Sequence, residues 1–529
     1  MHLKAISQKL SERMRNWWRG PALGQLGQLV NIAAVVISVG WFLPLFFSHL
    51  KVIAQPGPQE YNEPAIWHAT YLLDHGRNPY SAKELPGSLM CFDPLYNYVV
   101  LAFKPLFGID YSAHRMVNMI FLLGSLGLMV HWVRKAGAGL GIGLLMAVFY
   151  YWMTLGNISI TARPDTLGLF FFLLGLFVPW EHRYTRWSTV FGLGCALVAF
   201  HCKFYYVLAG CATLLAHFMM RNKREACVLG FIFFAVLGLS FAVCCYFFPY
   251  FYIVTVIIQR GGAMLNSRDD VSLMHTQMLF ERGWPFLVPM LCGVGIWLWR
   301  RHAARRAGQP ADRPDDMPFL AMGANFLIFL ALVYFIMGRN AGAYFTYHLH
   351  LLFPLMFVLS AYMVTRPWVK IGFGILLSVF VMRFLSIPGV PDSAAPYRRM
   401  EQLVFNCHSE ILGIACVTDI FERDSRKVIH NGNTMFVGFA FGEGRAEHDP
   451  MVGVLAKNYN AAADDAVRKV AAREYGMVFT EFDEPYFCDT ALLQKNYDKV
   501  EQIDYFTYFG HSPVRVWRPK PREPIPSPP

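Results

Sequence analysis

The chain has 529 residues, 55% hydrophobic and 16% aromatic, with only 16% charged and a formal net charge of +11. Soluble domains carry about 25% charged residues, so this composition excludes an ordinary soluble enzyme and points to membrane embedding over the first two-thirds of the chain. The basic balance does not imply nucleic acid, because Lys and Arg concentrate in short loops between apolar runs, as cytoplasmic loops do.

In chain order, residues 1–28 form a basic arm carrying Lys4, Lys9, Arg13, Arg15 and Arg19. Eleven apolar runs follow, each near the roughly 20 residues that a bilayer requires: 29–50, 115–133, 138–155, 165–180, 187–202, 204–220, 226–248, 283–299, 318–338, 346–365 and 368–387. Arg134/Lys135, Arg183/Arg186, Arg221/Lys223/Arg224, Arg300/Arg301/Arg305/Arg306 and Arg366/Lys370 fall on the side of the arm. This places the N-terminus in the cytoplasm, and an odd number of spans then puts residues 388–529 outside. Val52-Ile53-Ala54 loosely resembles a cleavage site, but the arm is long and the apolar run is of full spanning length, so an uncleaved anchor is expected.

The first outer loop, 51–114, opens with Glu60 and Glu63. Ile66, Ala69, Leu72 and Leu73 recur behind them at helical spacing, and Gly76 and Asn78-Pro79-Tyr80 supply a stop and a turn. Pro94–Phe107 is apolar but too short to span, and it is read as an interfacial helix. The second long outer loop, 249–282, holds Arg260, Gly261-Gly262, Arg268, Asp269-Asp270, His275 and Arg282, and it reads equally as a lid, a cleft wall or a plain linker. In 388–518 charge becomes frequent. EILGIACVTDIF and YGMVFTEFDE read as strands, and DDAVRKVAAREYG as a helix closed by Gly476, giving a small extracytoplasmic α/β domain. The tail 519–529 is Pro-rich and expected to be disordered. The fold expected is mainly α: a polytopic bundle of about 11 transmembrane helices with interfacial helices in the first outer loop, plus that domain.

Of eleven cysteines, seven lie in spans as small apolar fillers. Cys407, Cys416 and Cys488 lie outside, where a disulfide can form without the pairing being readable. The absence of a Walker motif and of HExxH in the sequence argues against an ATP-driven pump and a zincin-type protease.

Acidic groups from three stretches converge on the outer rim: Glu60/Glu63, Asp93 before the interfacial helix, and Asp165 in Arg163-Pro164-Asp165. Two carboxylates in an outer loop read equally as solvated charge. Converging carboxylates, however, suit a general base or a divalent metal. Arg115, Arg163, Lys203, Arg260, Arg282 and Arg339 lie at the same level; long basic side chains at span ends snorkel by default, and they also match phosphate oxygens. Arg339–His350 carries His348 and His350, whose spacing does not place them on one helix face. One of the two lining a cavity, and interfacial packing, are equal readings. The rim aromatics, including Trp67, Tyr71, Tyr80, Tyr96, Tyr98, Tyr344 and Tyr347, fit an aromatic belt first and a sugar platform second.

These residues resemble the GT-C superfamily of integral-membrane glycosyltransferases, nearest to bacterial relatives of the protein mannosyltransferases and the lipid A aminoarabinose transferases. The likeness covers about 29–387. Asn62-Glu63-Pro64 with Ala69, Leu72-Leu73, Gly76 and Pro79-Tyr80 resembles the family's first outer loop. Asp93-Pro94-Leu95-Tyr96 with Phe107-Gly108 and Arg115 resembles its second juxtamembrane helix and next span. Arg163-Pro164-Asp165 is similar to its second acidic site, and Arg339-Asn340 with Tyr344-Phe345 and Pro354 to its late-span entry.

The resemblance implies a polyprenyl-phosphate sugar donor, a lipid, glycan or protein acceptor on the outer face of the cytoplasmic membrane, and inversion at the anomeric carbon. Glu63 falls where the family places its first-loop acid, the base, with Asp165 and Glu60 as further catalytic candidates. Arg163, Lys203, Asp93, Arg115, Arg260, Tyr344 and His348 are the substrate-binding candidates, and His348 stands where many relatives carry Glu. A divalent metal, if used, falls to Glu63, Asp93 and Asp165. The rival reading is a lipid or solute transporter or flippase, which requires ionisable groups near mid-bilayer and related halves.

Overall fold

The computed structural model describes residues 21–60, 62–84, 92–156, 158–258, 268–306, 323–331, 351–364, 367–414, 420, 450–481, 490–507 and 510–521. The first two-thirds is helical. Helix α1 (Pro21–Ile53) leads into a short α2 (Glu63–Asp74), α3 (Leu95–Phe107) and α4 (Tyr111–Lys135). There follow α5 (Leu140–Leu155), α6 (Asp165–Glu181), α7 (Arg186–Phe200), α8 (Leu208–Met220), α9 (Lys223–Phe247) and α10 (Arg268–Arg306). After a stretch at 323–331, α11 (Leu352–Met363) and α12 (Pro367–Phe384) complete the bundle.

Local chemistry accounts for the ends of these helices. Pro64 sits in the first turn of α2, where its missing N–H costs nothing. The chain reverses beyond α2 through Gly76 at φ +69°. Asp93 Oδ1 accepts from the Leu95 amide (3.0 Å) at the start of α3. Asn222 Oδ1 accepts from the Arg224 amide (3.0 Å) and the Glu225 amide (3.3 Å), capping α9.

Among the described residues, four helices are long and apolar enough to cross a membrane: Leu23–Ile53, Tyr111–Lys135, Lys223–Phe247 and Pro367–Phe384. Their outward faces are apolar. Leu29, Val36, Phe231 and Leu239 are exposed in the first and third of them, an arrangement that lipid satisfies and water does not. The shorter apolar helices α5, α7 and α11 pack against these, so the expected count of eleven spans is not established by helix length alone. In their described residues the eleven expected spans coincide with helical segments, the ninth only at 323–331 and the tenth only within 351–364; 204–220 begins with a 3-10 turn at Phe204–Val207 before α8. Much of the second outer loop departs from a loop. A π-helical turn forms at Ile253–Ile258, and 268–282 is the first part of α10, continuous with the expected eighth span through Pro285 and Pro289.

The C-terminal part is the expected small α/β unit. Helix α13 (Ala394–Asn406) precedes β1 (Ile411–Leu412), α14 (Pro450–Ala472), β2 (Met477–Thr480), α15 (Thr490–Asn496), β3 (Tyr497–Thr507) and β4 (Gly510–Pro519). The sheet order is β1-β2-β4-β3, with β1 parallel to β2 and the other pairs antiparallel. Tyr397, Met400, Val404, Phe479, Tyr505, Val514 and Val516 fill one face of the sheet, while Val470, Tyr475, Leu493 and Trp517 fill the other.

Three sequence expectations change here. Within EILGIACVTDIF only Ile411–Leu412 is strand among the described residues. The long β3–β4 hairpin was not anticipated, because a register shift between Lys499 and Glu501 breaks the period of two. Helix α14 does not end on Gly476: Arg473 takes the left-handed conformation at φ +55°. Gly476 serves a close approach instead. Its amide donates to Glu410 O (2.9 Å), and a Cβ there would run into the Ser409 side chain.

Candidate active site

One end of the bundle gathers the C-terminus of α1, the N-termini of α2, α4 and α6, and the C-termini of α7 and α9. Glu63 opens α2 and is fully buried. It forms a fork-to-fork pair with Arg115 in the first turns of α4: Nε to Oε1 at 2.8 Å and a terminal nitrogen to Oε2 at 2.6 Å. The Gln59 amide (2.5 Å) and the Ala162 amide (2.6 Å) also donate to this carboxylate. The rest of the Arg115 guanidinium donates to Gln55 O and Gly57 O, both at 2.7 Å, and to Val52 O at 3.2 Å. Arg115 thus ties the end of α1, the 55–59 segment and α2 together.

Three residues away, Glu60 enters a different network. Its Oε1 accepts from Arg163 (3.0 Å) and from the Asn62 amide nitrogen of the side chain (2.9 Å), and its Oε2 accepts from the Asn62 backbone (2.9 Å). Arg163 bridges onward to Asp165 Oδ2 (3.0 Å), and Asp165 Oδ1 pairs with Lys203. Phe92 lies beneath both cations, with its ring centroid 5.2 Å from the Arg163 guanidinium and 5.7 Å from the Lys203 ammonium. Tyr206 donates to the Asp165 backbone (3.1 Å). Glu60, Glu63 and Asp165 therefore balance Arg115, Arg163 and Lys203 in a buried cluster.

Burial pushes the Glu60 carboxyl up to about 7, with nearby Glu63 adding to the rise and Arg163 opposing it. That value is the useful one for accepting a proton near neutrality.

The structure brings Glu60, Glu63, Arg115, Arg163, Asp165 and Lys203 together. Asp93, which directly follows Phe92 in sequence, is held instead by the Leu95 amide and by His201 Nδ1 (2.7 Å). Arg282 stacks over Trp152 at 5.1 Å. Arg260, Arg339, Tyr344, His348 and the Arg339–His350 motif lie outside the described residues, as do Cys416 and Cys488.

Sequence reasoning missed several members of the site. Asn62 and Phe92 adjoin residues it singled out, and His201 lies two residues from Lys203, so a polar cluster at that span end was a usable signal. The C-terminal unit gave none. Tyr505 donates to Pro58 O (2.8 Å), Gln59 Nε2 to Ser393 Oγ (2.9 Å), and the Ser393 hydroxyl to Gln55 Oε1 (2.7 Å). A Cβ on Gly57 would collide with Tyr505 and Tyr397. The 55–59 segment is therefore clamped between the sheet unit on one side and Arg115 on the other.

No family model matches the chain, and none of the curated proteins does. Among solved structures it is similar to the crystal structure of ArnT from Cupriavidus metallidurans in the apo state. The identity is 15%, covering 86% of this chain and 82% of that one, with a TM-score of 0.42. It is also similar to ArnT from Cupriavidus metallidurans bound to undecaprenyl phosphate, at 16% identity over 84% and 79% of the two chains and a TM-score of 0.39.

Proposed function

We propose that this chain is a membrane glycosyltransferase that moves a sugar from a polyprenyl-phosphate donor to an acceptor hydroxyl on the outer face of the cytoplasmic membrane, with inversion. The observation that carries the reading is the linked row Glu60–Arg163–Asp165–Lys203: a carboxylate poised near neutrality, directly joined to two cations at a bundle end. Glu60 takes the acceptor proton. The freed oxygen attacks the anomeric carbon, and the bond from that carbon to the phosphate oxygen breaks. The phosphate leaves with the electron pair, and Arg163 and Lys203 receive its charge. Phosphate is already a stable leaving group, so one carboxylate suffices where glycoside hydrolysis uses two.

The family resemblance favours Glu63 as the base, whereas hydrogen bonding favours Glu60. Glu63 already accepts from four donors, two of them the arms of a buried guanidinium. In this reading Glu63 and Arg115 hold the outer segment in place, and Asp165 sets the spacing of the two cations. The same commitments to Arg and Lys weigh against Glu63 and Asp165 as metal ligands.

Orientation rests on charge. The opposite bundle end carries Arg134, Lys135, Arg183, Arg186, Arg221, Lys223 and Arg224, a basic bias that supports a cytoplasmic position for it. The transporter alternative needs ionisable groups at mid-bilayer, and the cluster's charges sit at helix ends instead. The test is sugar transfer from candidate polyprenyl-phosphate sugars in membranes. Glu60→Gln is expected to abolish transfer while leaving the protein folded and monodisperse in detergent. Parent-level transfer by folded Glu60→Gln would sink the assignment.

A further inference from the structure

Beside the ion-pair cluster, three side chains from distant stretches meet: Asp93 just before α3, His201 at the end of α7, and Cys244 in the last turn of α9. Their ligand atoms all lie within 4.8 Å of one another. Asp93 Oδ2 is 2.7 Å from His201 Nδ1 and 3.9 Å from Cys244 Sγ.

The far side of the ring is also held. His201 Nε2 is 2.9 Å from Ser240 Oγ, and the Ser240 hydroxyl gives its own proton to Leu237 O (2.8 Å). The tautomer with its hydrogen on Nε2 donates to Ser240 and leaves the Nδ1 lone pair for a ligand on the Asp93 side. Without an ion the 2.7 Å contact is a hydrogen bond, and the same Nδ1 and Oδ2 become ligand atoms when a metal replaces the shared proton.

We propose that Asp93, His201 and Cys244 bind a divalent transition-metal ion, zinc by their donor chemistry. One carboxylate oxygen, one imidazole nitrogen and one thiolate form a zinc-type ligand set, and three protein ligands leave a fourth position for water or an anionic oxygen. Zinc bonds of about 2.0–2.3 Å imply ligand-to-ligand edges near 3.4 Å in a tetrahedron, within the spread of separations here. The surroundings are arranged as metal sites require. Ser240 holds the ring by its other nitrogen, and the Leu95 amide holds Asp93 Oδ1 at 3.0 Å, leaving Oδ2 for the metal. The His201 side chain is 12% exposed, which gives an ion a way in. These ligands differ from the Glu63, Asp93 and Asp165 set expected from sequence, and the site stands whether or not the chain transfers sugars.

The test uses the full-length protein without a polyhistidine tag, in detergent, stripped of metal and titrated with cobalt(II). One cobalt per chain is expected, with a thiolate-to-cobalt charge-transfer band and the strong visible absorption of a tetrahedral ion. Cys244→Ser should lose the charge-transfer band, and Cys245→Ser and Cys407→Ser should keep it. Ser240→Ala should weaken zinc affinity by roughly 10–100-fold, the usual effect of losing an outer hydrogen bond to a ligand. Absence of bound cobalt in the parent protein would assign the shared position to a proton and overturn the proposal. Bound cobalt without the thiolate band, or a band that survives Cys244→Ser, would overturn it too.

Discussion

Glu60 and Glu63 lie three residues apart and are both buried, yet their partners give them different chemistry. Glu63 is saturated by Arg115 and two backbone amides, whereas Glu60 shares Arg163 with Asp165. The base form of Glu60 grows as pH rises, so transfer should fall about tenfold per unit below pH 7 and level off above it. A pH–rate profile checks this, and a profile flat down to pH 5 would exclude Glu60. Stability has the opposite sign. A carboxyl raised from 4.5 to about 7 on folding loses stability as pH climbs through that window, so the parent should lose ground to Glu60→Gln between pH 4.5 and 7 in thermal unfolding. For the other pair, Arg115→Met leaves a buried carboxylate unpaired and should cost about 3–5 kcal/mol. Adding Glu63→Gln should recover part of that loss, measured by denaturant unfolding in detergent.

At the scale of elements, the 55–59 segment joins two units that the sequence treats as separate. Arg115 grips its carbonyls from the membrane side, while Tyr505, Tyr397 and Ser393 grip it from the sheet side. Gly57→Ala would force a Cβ into the Tyr505 hydroxyl and the Tyr397 ring, so it should increase hydrogen exchange across 55–62 and lower transfer. Tyr505→Phe removes one hydrogen bond and keeps the ring, so its effect should be smaller in both measurements. Equal exchange in all three proteins would show that the clamp does not hold the segment. Apolar periodicity located the helices because burial against lipid and neighbours imposes it at every turn. The β3–β4 hairpin escaped notice because its bulge interrupts the alternation that marks a strand.

Across the whole molecule, basic and mixed-charge helix ends separate to opposite poles. If the basic pole is cytoplasmic, an epitope before Met1 should be inaccessible in sealed right-side-out membranes, and one after Pro529 should be accessible. Accessibility of both epitopes would reverse the parity of the spans.

Composition and hydropathy alone determined the membrane-embedded helical class, the approximate limits of the helices and the small α/β unit, because each depends on local residue content. They also placed Glu60, Glu63, Arg115, Arg163, Asp165 and Lys203 on one outer rim, where solvated or snorkelling charge stood beside a functional reading. Which charge pairs with which was decided only by the tertiary structure, since partners such as Glu63 and Arg115 lie 52 residues apart and Glu60 and Arg163 lie 103 apart. The same holds for Asp93, His201 and Cys244, and for the grip of Tyr505 on Pro58. Side-chain chemistry is written in the sequence, but its electrostatic consequences depend on distance and burial, which exist only once the chain has folded.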